Sequence, residues 1–164
     1  MAQPKCPNCS RQFVRRVSCI GSAETLLAFF YIYPFKCQLC GFRFRMPQWG
    51  VRYLRVPEEQ REYERMPTRF PLTFQAHNLS GQGTVTNLSM GGCNFASTYP
   101  IAIGTVLRLW LQISDDVAPV SVDAAVVRYV HQHSVGVEFI QWQQSERERL
   151  QLFVRGLLIS YPAP

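Results

Sequence analysis

Two pairs of cysteines carry the plainest chemistry in the chain. Cys6-Pro7-Asn8-Cys9 and Cys37-Gln38-Leu39-Cys40 are both C-x-x-C, separated by 27 residues. Each pair can offer two thiolates to one ion, and two pairs complete the tetrahedral sulfur shell that Zn²⁺ favours. Four protein ligands leave no open coordination position, so such a site holds structure and does not hydrolyse. Redox dithiols, or four unconnected thiols, are the alternatives for these residues. A module this short cannot rest on a hydrophobic core alone, so metal binding and folding are expected to be coupled. Cys19 and Cys93 stand outside the pairs. Cys19 reads as a non-ligand and Cys93 as a buried strand residue.

A second constellation is made of arginines and a small polar turn. Arg65-Met66-Pro67-Thr68-Arg69 leads into an alternating apolar segment, and Asn87-Leu88-Ser89-Met90-Gly91-Gly92 closes the segment after it. Arg-x-x-x-Arg alone says little, since Arg11 with Arg15 and Arg61 with Arg65 share the spacing. A solvated charged face explains any one of them. Asn87, Ser89 and Gly92 can likewise be a turn that ends a strand.

The elements around these motifs are mostly strands. Phe70, Leu72, Phe74 and Ala76 alternate with polar residues; a turn is expected over Leu79 to Gly83, and a strand through Thr84 to Thr86. Leu107, Leu109, Leu111 and Ile113 alternate in the same way, as do Val120, Val122, Ala124 and Val126, then Val135, Val137 and Phe139. Period two with frequent turns predicts a half-buried antiparallel sandwich or barrel. The period then changes. Ser145-Glu146-Arg147-Glu148 has the form of a capping box, and Leu150, Phe153, Val154, Leu157 and Leu158 follow at helical spacing. The expected organisation is a four-cysteine module over residues 1–49, a polar linker over 50–64 and a mainly β domain over 65–164.

Charge divides the chain at the same place. Nine Lys/Arg face one acid between Met1 and Val56, and eight basic residues face ten acidic ones thereafter. A basic first third suits an anionic partner such as nucleic acid, a lipid headgroup or a nucleotide, or serves solubility. Arg15-Arg16, Phe29-Phe30-Tyr31 and Phe42-Arg43-Phe44-Arg45 mix cations with aromatics. That mixture fits single-stranded nucleic acid; it equally fits a small ribbon with an aromatic core and arginines in water. The longest apolar run, Leu26 to Phe35, is half the length of a spanning helix and contains Pro34. With no signal peptide in view, the expectation is a cytoplasmic protein without a membrane span.

Taken in order, the arginine motif, two strands, Asn-x-Ser-x-x-Gly, Val135-Gly136-Val137-Glu138-Phe139 and a terminal helix resemble the PilZ family over about Arg65 to Ser160. The cysteine pairs resemble rubredoxin-type knuckles of a zinc ribbon. The first resemblance implies a six-stranded antiparallel β-barrel with a C-terminal α-helix, behind the ribbon. It also implies cyclic di-GMP as ligand, bound by Arg65, Arg69, Asn87, Ser89 and Gly92, and a role as receptor or adaptor toward a downstream protein. The residue types suit that ligand. An arginine fork donates to guanine O6 and N7, and its flat face stacks on a purine. Pro67 restrains the segment between the arginines, Asn87 both donates and accepts, and Ser89 offers a hydroxyl. Glu64 stands where many relatives carry a further arginine, which favours one bound nucleotide over a stacked pair. Ligand closing an arginine loop, with the linker behind it, would reorient the ribbon.

Other classes remain in view: a nucleic-acid regulator led by the ribbon, or a PilZ barrel without ligand that binds protein. An enzyme is not expected. Ser89 is not in a Gly-x-Ser-x-Gly elbow. His131 and His133 read as hairpin residues, and Asp115 and Asp116 as turn residues.

Overall fold

The computed structural model describes residues 4–50, 62–77 and 79–160. Much of the expected linker, and Arg61 with it, lies outside them. The chain divides into two compact units, Met1–Glu64 and Arg65–Pro164.

The first unit is a three-stranded antiparallel sheet, β1 (Val14–Arg16), β2 (Ile32–Cys37) and β3 (Arg43–Pro47), in that order. A helix not expected from sequence, α1 (Gly21–Phe29), joins β1 to β2. The apolar run is therefore split between a helix end and a strand. Pro34 is tolerated in the central strand because β1 has ended there. The pairing stops at Arg16 opposite Phe35, and beyond it the Pro34 carbonyl takes the Val17 N–H at 3.0 Å. The side that lacks a donor thus faces a strand end. Phe35 and Phe44 stack across β2 and β3 with ring centroids 5.9 Å apart.

The one buried residue of α1 is Glu24. Its carboxylate accepts from the Ile20 N–H at 2.7 Å, from Arg43 at 2.6 Å and from Arg45 at 3.3 Å. Burial alone would raise its pKa, but these donors outweigh it and hold the group below the usual carboxylate range. An acid at the sole buried position works only because it is fully paired.

The second unit is a closed barrel with a helix. Its strands are β4 (Met66–Ala76), β5 (Leu79–Ser89), β6 (Gly92–Ala96), β7 (Val106–Leu111), β8 (Val120–His131) and β9 (Ser134–Gln141). They run β4-β5-β6-β9-β8-β7, with β7 pairing back onto β4, all antiparallel. Closure leaves no unpaired edge. Inward side chains fill the centre: Leu72, Phe74, Val85, Phe95, Leu107, Leu109, Leu111, Val122 and Val127 are all buried. Helix α2 (Gln144–Ser160) packs on β8 and β4, burying Leu150, Val154 and Leu158. Phe153 meets Phe70 edge-on at 5.7 Å.

Three local expectations are corrected. Leu79 to Gly83 is not a turn: β5 begins at Leu79, and Gly81 and Gly83 belong to it. These glycines make room for rings. A Cβ on Gly81 would come within 2.7 Å of Phe74 and 2.8 Å of Tyr99, and one on Gly83 within 2.8 Å of Phe95. Opposite β7, where Leu109 pairs with Val122 and Leu107 with Ala125, β8 carries an extra residue, so Ala125 and Val127 turn inward in place of Ala124 and Val126. One extra residue reverses every later side chain. Helix α2 begins at Gln144, ahead of the expected Ser145 cap. Glu148 there accepts from the Gln144 side chain at 2.9 Å, and Glu146 from the Ser121 N–H at 2.8 Å.

Candidate functional site

Four sulfurs meet in the first unit. The ligand atoms of Cys6, Cys9, Cys37 and Cys40 all lie within 4.8 Å of one another. Cys6 Sγ is 3.6 Å from Cys40 Sγ, and Cys9 Sγ is 3.6 Å from Cys37 Sγ. The two knuckles share one backbone form. Ser10 (φ 58°) donates its N–H to the Cys6 carbonyl at 2.8 Å, and Gly41 (φ 77°) donates to the Cys37 carbonyl at 3.1 Å. Both residues take the left-handed conformation, at little cost for Gly41 and more for Ser10. The Gln38 N–H to the Phe13 carbonyl, 2.8 Å, ties the second knuckle to the segment behind the first. Cys19 lies outside the cluster.

The thiols differ in electrostatics. Burial drives Cys37 well above the ordinary thiol range, and raises Cys9. Cys40 is also penalised by burial. Hydrogen bonds from the Phe42 backbone and the Asn8 side chain, and the neighbouring thiols, outweigh that and bring it down to about 7.

On the barrel, the second set of residues is placed by two bulges. Met66 pairs with Leu88 and Pro67 with Asn87, and the register then shifts before Phe70 meets Val85. A second shift between Val85 and Asn87 brings Asn87 opposite Asn94 of β6. The two irregularities face each other across β5. Arg69 sits within the first and is exposed. The expected arginine loop is therefore strand: β4 starts at Met66, directly behind Arg65, because Pro67 already holds extended backbone.

Arg65 is half-buried and donates from Nη1 to Asn94 Oδ1 at 3.0 Å. Its charge is felt by Cys93, whose thiol full burial pushes up to about 12 and Arg65 draws partly back. Cys93 is thus a core thiol, as read from sequence. Asn87 Oδ1 is buried and has no hydrogen-bond partner among the described residues. The cross-strand row continues from Asn94 to Gly136 of β9 and Tyr129 of β8. A Cβ on Gly136 would strike the Tyr129 ring, so that ring covers the glycine. Sequence reasoning names Gly136 only as part of the family motif and does not single out Asn94 or Tyr129 as site residues. Asn94 stands two residues beyond Gly92, and its place next to Asn87 follows from a bulge that no residue type announces.

Ser89 and Gly92 are engaged within the turn. The Ser89 hydroxyl donates to the Gly92 carbonyl at 3.1 Å and accepts from the Gly91 N–H at 3.3 Å. A Cβ on Gly92 would run into the Val137 carbonyl of β9. So Gly92 is required for close approach of β6 to β9. Gly92→Ala is expected to destabilise the barrel by about 1–3 kcal/mol, since the obstacle is backbone and cannot swing aside. Urea unfolding of the two proteins measures this; equal midpoints would show that β6 yields without cost.

The structure thus brings Arg69, Asn87 and Asn94 onto adjoining strands, with Arg65 just before the first of them and bonded to Asn94, and with Ser89 and Gly92 at the neighbouring turn. A surface depression of about 510 Å³ lies elsewhere on the barrel, lined by residues that include Thr73, Gln82, Trp110 and Gln112, and holds none of the five expected ligand residues.

Residues 59–156 match the PilZ domain family model. The chain belongs to the PilZ domain family. Its barrel is also found among solved structures. The Bacillus subtilis inhibitor of motility, MotI/DgrA, is 16% identical, with 79% of this chain and 66% of that chain covered at a TM-score of 0.54. The PilZ domain of CeSA from a cellulose-synthesizing bacterium is 13% identical, covering 60% of this chain and 99% of that one at a TM-score of 0.44. K. pneumonia MrkH in its apo state is 12% identical, covering 90% and 77% at a TM-score of 0.46. No curated protein matches the chain. The PilZ match begins past the four cysteines, so it covers the barrel and not the cysteine cluster. Among the described residues, no helix is long and apolar enough to cross a membrane.

Proposed function

We propose that this PilZ protein is a receptor for cyclic di-GMP that acts as an adaptor toward another protein, with a structural Zn²⁺ in its N-terminal unit. The observation that carries the ligand reading is Asn87 Oδ1. A buried acceptor without a donor costs about 1–3 kcal/mol, and here its residue pairs with Pro67, between Arg65 and Arg69 in the chain. Guanine supplies what is lacking: its N2–H₂ donates, while O6 and N7 accept from an arginine fork. The phosphates of the ligand offer further oxygens to guanidinium. Tyr129 adds a flat ring in the same cross-strand row, on which a purine can stack. Ser89 and Gly92 support the reading by shaping the turn that presents Asn87. Nothing in this arrangement needs a nucleophile or a general base, and the reading is of a receptor and not an enzyme.

The cysteine cluster fits zinc by its donor set and its spacing. Tetrahedral Zn–S bonds of about 2.3 Å put sulfurs about 3.8 Å apart, against 3.6 Å for both close pairs. Cys6, Cys9, Cys37 and Cys40 would hold the ion, which would cross-link the two knuckles.

Isothermal calorimetry of the full chain with cyclic di-GMP tests the receptor role, with GTP as the comparison. Binding in the micromolar range or tighter is expected for cyclic di-GMP, with a raised melting temperature, and none for GTP at the same concentration. Absence of heat and of any thermal shift with cyclic di-GMP would leave the barrel as a protein-interaction module.

A further inference from the structure

Helix α1 is turned inside out. A helix on a globular unit ordinarily buries an apolar stripe and exposes charge. Here Glu24 faces inward, and at about 100° per residue the opposite side carries Leu26, Phe29 and, just past the helix end, Phe30. These three are 63%, 81% and 63% exposed. Ile20, at the other end of the helix, and Trp49, after β3, are also exposed. Single exposed apolar residues mean little, whereas Leu26, Phe29 and Phe30 share one side of the helix, and such a set marks a surface that meets something.

The charges select what it meets. From Pro4 to Gly50 there are seven Lys/Arg and a single acid, Glu24. That acid is buried and held by Arg43 and Arg45. The segment therefore shows no exposed carboxylate among its described side chains. Later in the same unit Glu62 is exposed, and it is paired with Lys36. An apolar helix face with aromatics, on a segment whose charge excess is positive, is complementary to an anionic lipid layer: the rings and Leu26 enter the headgroup boundary, and the cations stay among the headgroups. Nucleic acid is the weaker match. Bases stack on aromatic rings but offer nothing to Leu26 or Ile20, and Arg43, beside the helix, is directed inward onto Glu24.

We infer that the N-terminal unit docks on membranes containing anionic lipids through the outer face of α1. The test is flotation of the full, metal-replete chain with vesicles of phosphatidylglycerol and phosphatidylethanolamine, and with phosphatidylcholine alone. Partition at least tenfold greater into the anionic vesicles is expected. It should weaken at high salt and carry a blue shift of tryptophan fluorescence. L26S/F29S/F30S should lose at least tenfold in partition while keeping its metal content and circular dichroism. F29S alone, at the most exposed position, should lose part of it and cannot unfold the unit. Failure to float with anionic vesicles, or undiminished flotation of F29S and of the triple variant, would overturn the inference. So would equal partition into both vesicle types. A single-stranded oligonucleotide bound by the wild type and lost in these variants, without flotation, would transfer the face to nucleic acid.

Discussion

Arg65→Ala/Arg69→Ala is expected to lose at least about 100-fold in affinity for cyclic di-GMP. Each good bidentate contact to guanine contributes about 1–3 kcal/mol, and about 1.4 kcal/mol is a factor of ten. Arg69 is exposed, so part of its contribution is screened by water. Arg65 is half-buried and anchored on Asn94 at 3.0 Å, so its single substitution should account for the larger share. Arg65→Lys separates charge from shape: it keeps the cation but loses the planar fork, and should recover little of the loss. Calorimetry reads the affinities. Removing Arg65 also leaves Asn94 Oδ1 without its donor, so urea unfolding is measured beside it, and a cost of about 1–3 kcal/mol is expected there. Retained affinity in the double variant would remove the arginines from the binding site.

Why the arginines were easier to find than their partners lies in the backbone. Alternation of period two placed Leu72, Phe74, Leu107, Leu109 and Leu111 in the core correctly, because β4 and β7 carry no extra residue there; the shift opposite Leu107 and Leu109 puts the extra residue in β8. It failed at Ala124 and Val126, where an extra residue of β8 opposite β7 reverses the faces. The same kind of irregularity shapes the candidate site. Asn94 reaches Asn87 only through the shift between Val85 and Asn87, and bulges have no obligatory residue. Gly81 and Gly83 misled in the other direction. Their composition reads as a turn, yet they lie in β5 because Phe74, Tyr99 and Phe95 occupy the volume a side chain would need. Helix α1 was concealed by its own inversion. Leu26 and Phe29 face solvent, Leu27 and Ala28 are only half-buried, and the one fully buried residue is an acid, so an amphipathic pattern read in the usual sense does not reveal it. By contrast, the cysteine cluster was legible in full. Both chelating pairs are local in sequence, and a knuckle needs only a left-handed residue after its second cysteine, here Ser10 and Gly41.

Cys37→Ser, or prolonged treatment of the wild type with a strong zinc chelator, is expected to unfold the N-terminal unit and leave the barrel standing. The argument is one of size. The described part of this unit has few fully buried side chains away from the cysteines, chiefly Val17, Tyr33, Phe35 and Leu39. A core of that extent does not offset the entropy of ordering some 50 residues, which costs about 1–2 kcal/mol each for the backbone alone. Structural zinc in a thiolate site contributes about 10–16 kcal/mol in apparent binding free energy at neutral pH, larger than the stability of an ordinary domain. Cys37 is the most informative position, being fully buried with its sulfur 3.6 Å from that of Cys9. The barrel draws its core from its own strands and from α2, so its unfolding transition should persist. Elemental analysis should find about one zinc per wild-type chain and none in the variant. Limited proteolysis should then cut the variant N-terminal to Arg65 and spare the remainder. A metal-free wild type that resists protease would show that the four thiols are not needed as ligands. Iron with its visible absorption would keep the cross-link and change the ion. Only loss of the first unit together with the metal identifies zinc as the element that folds it.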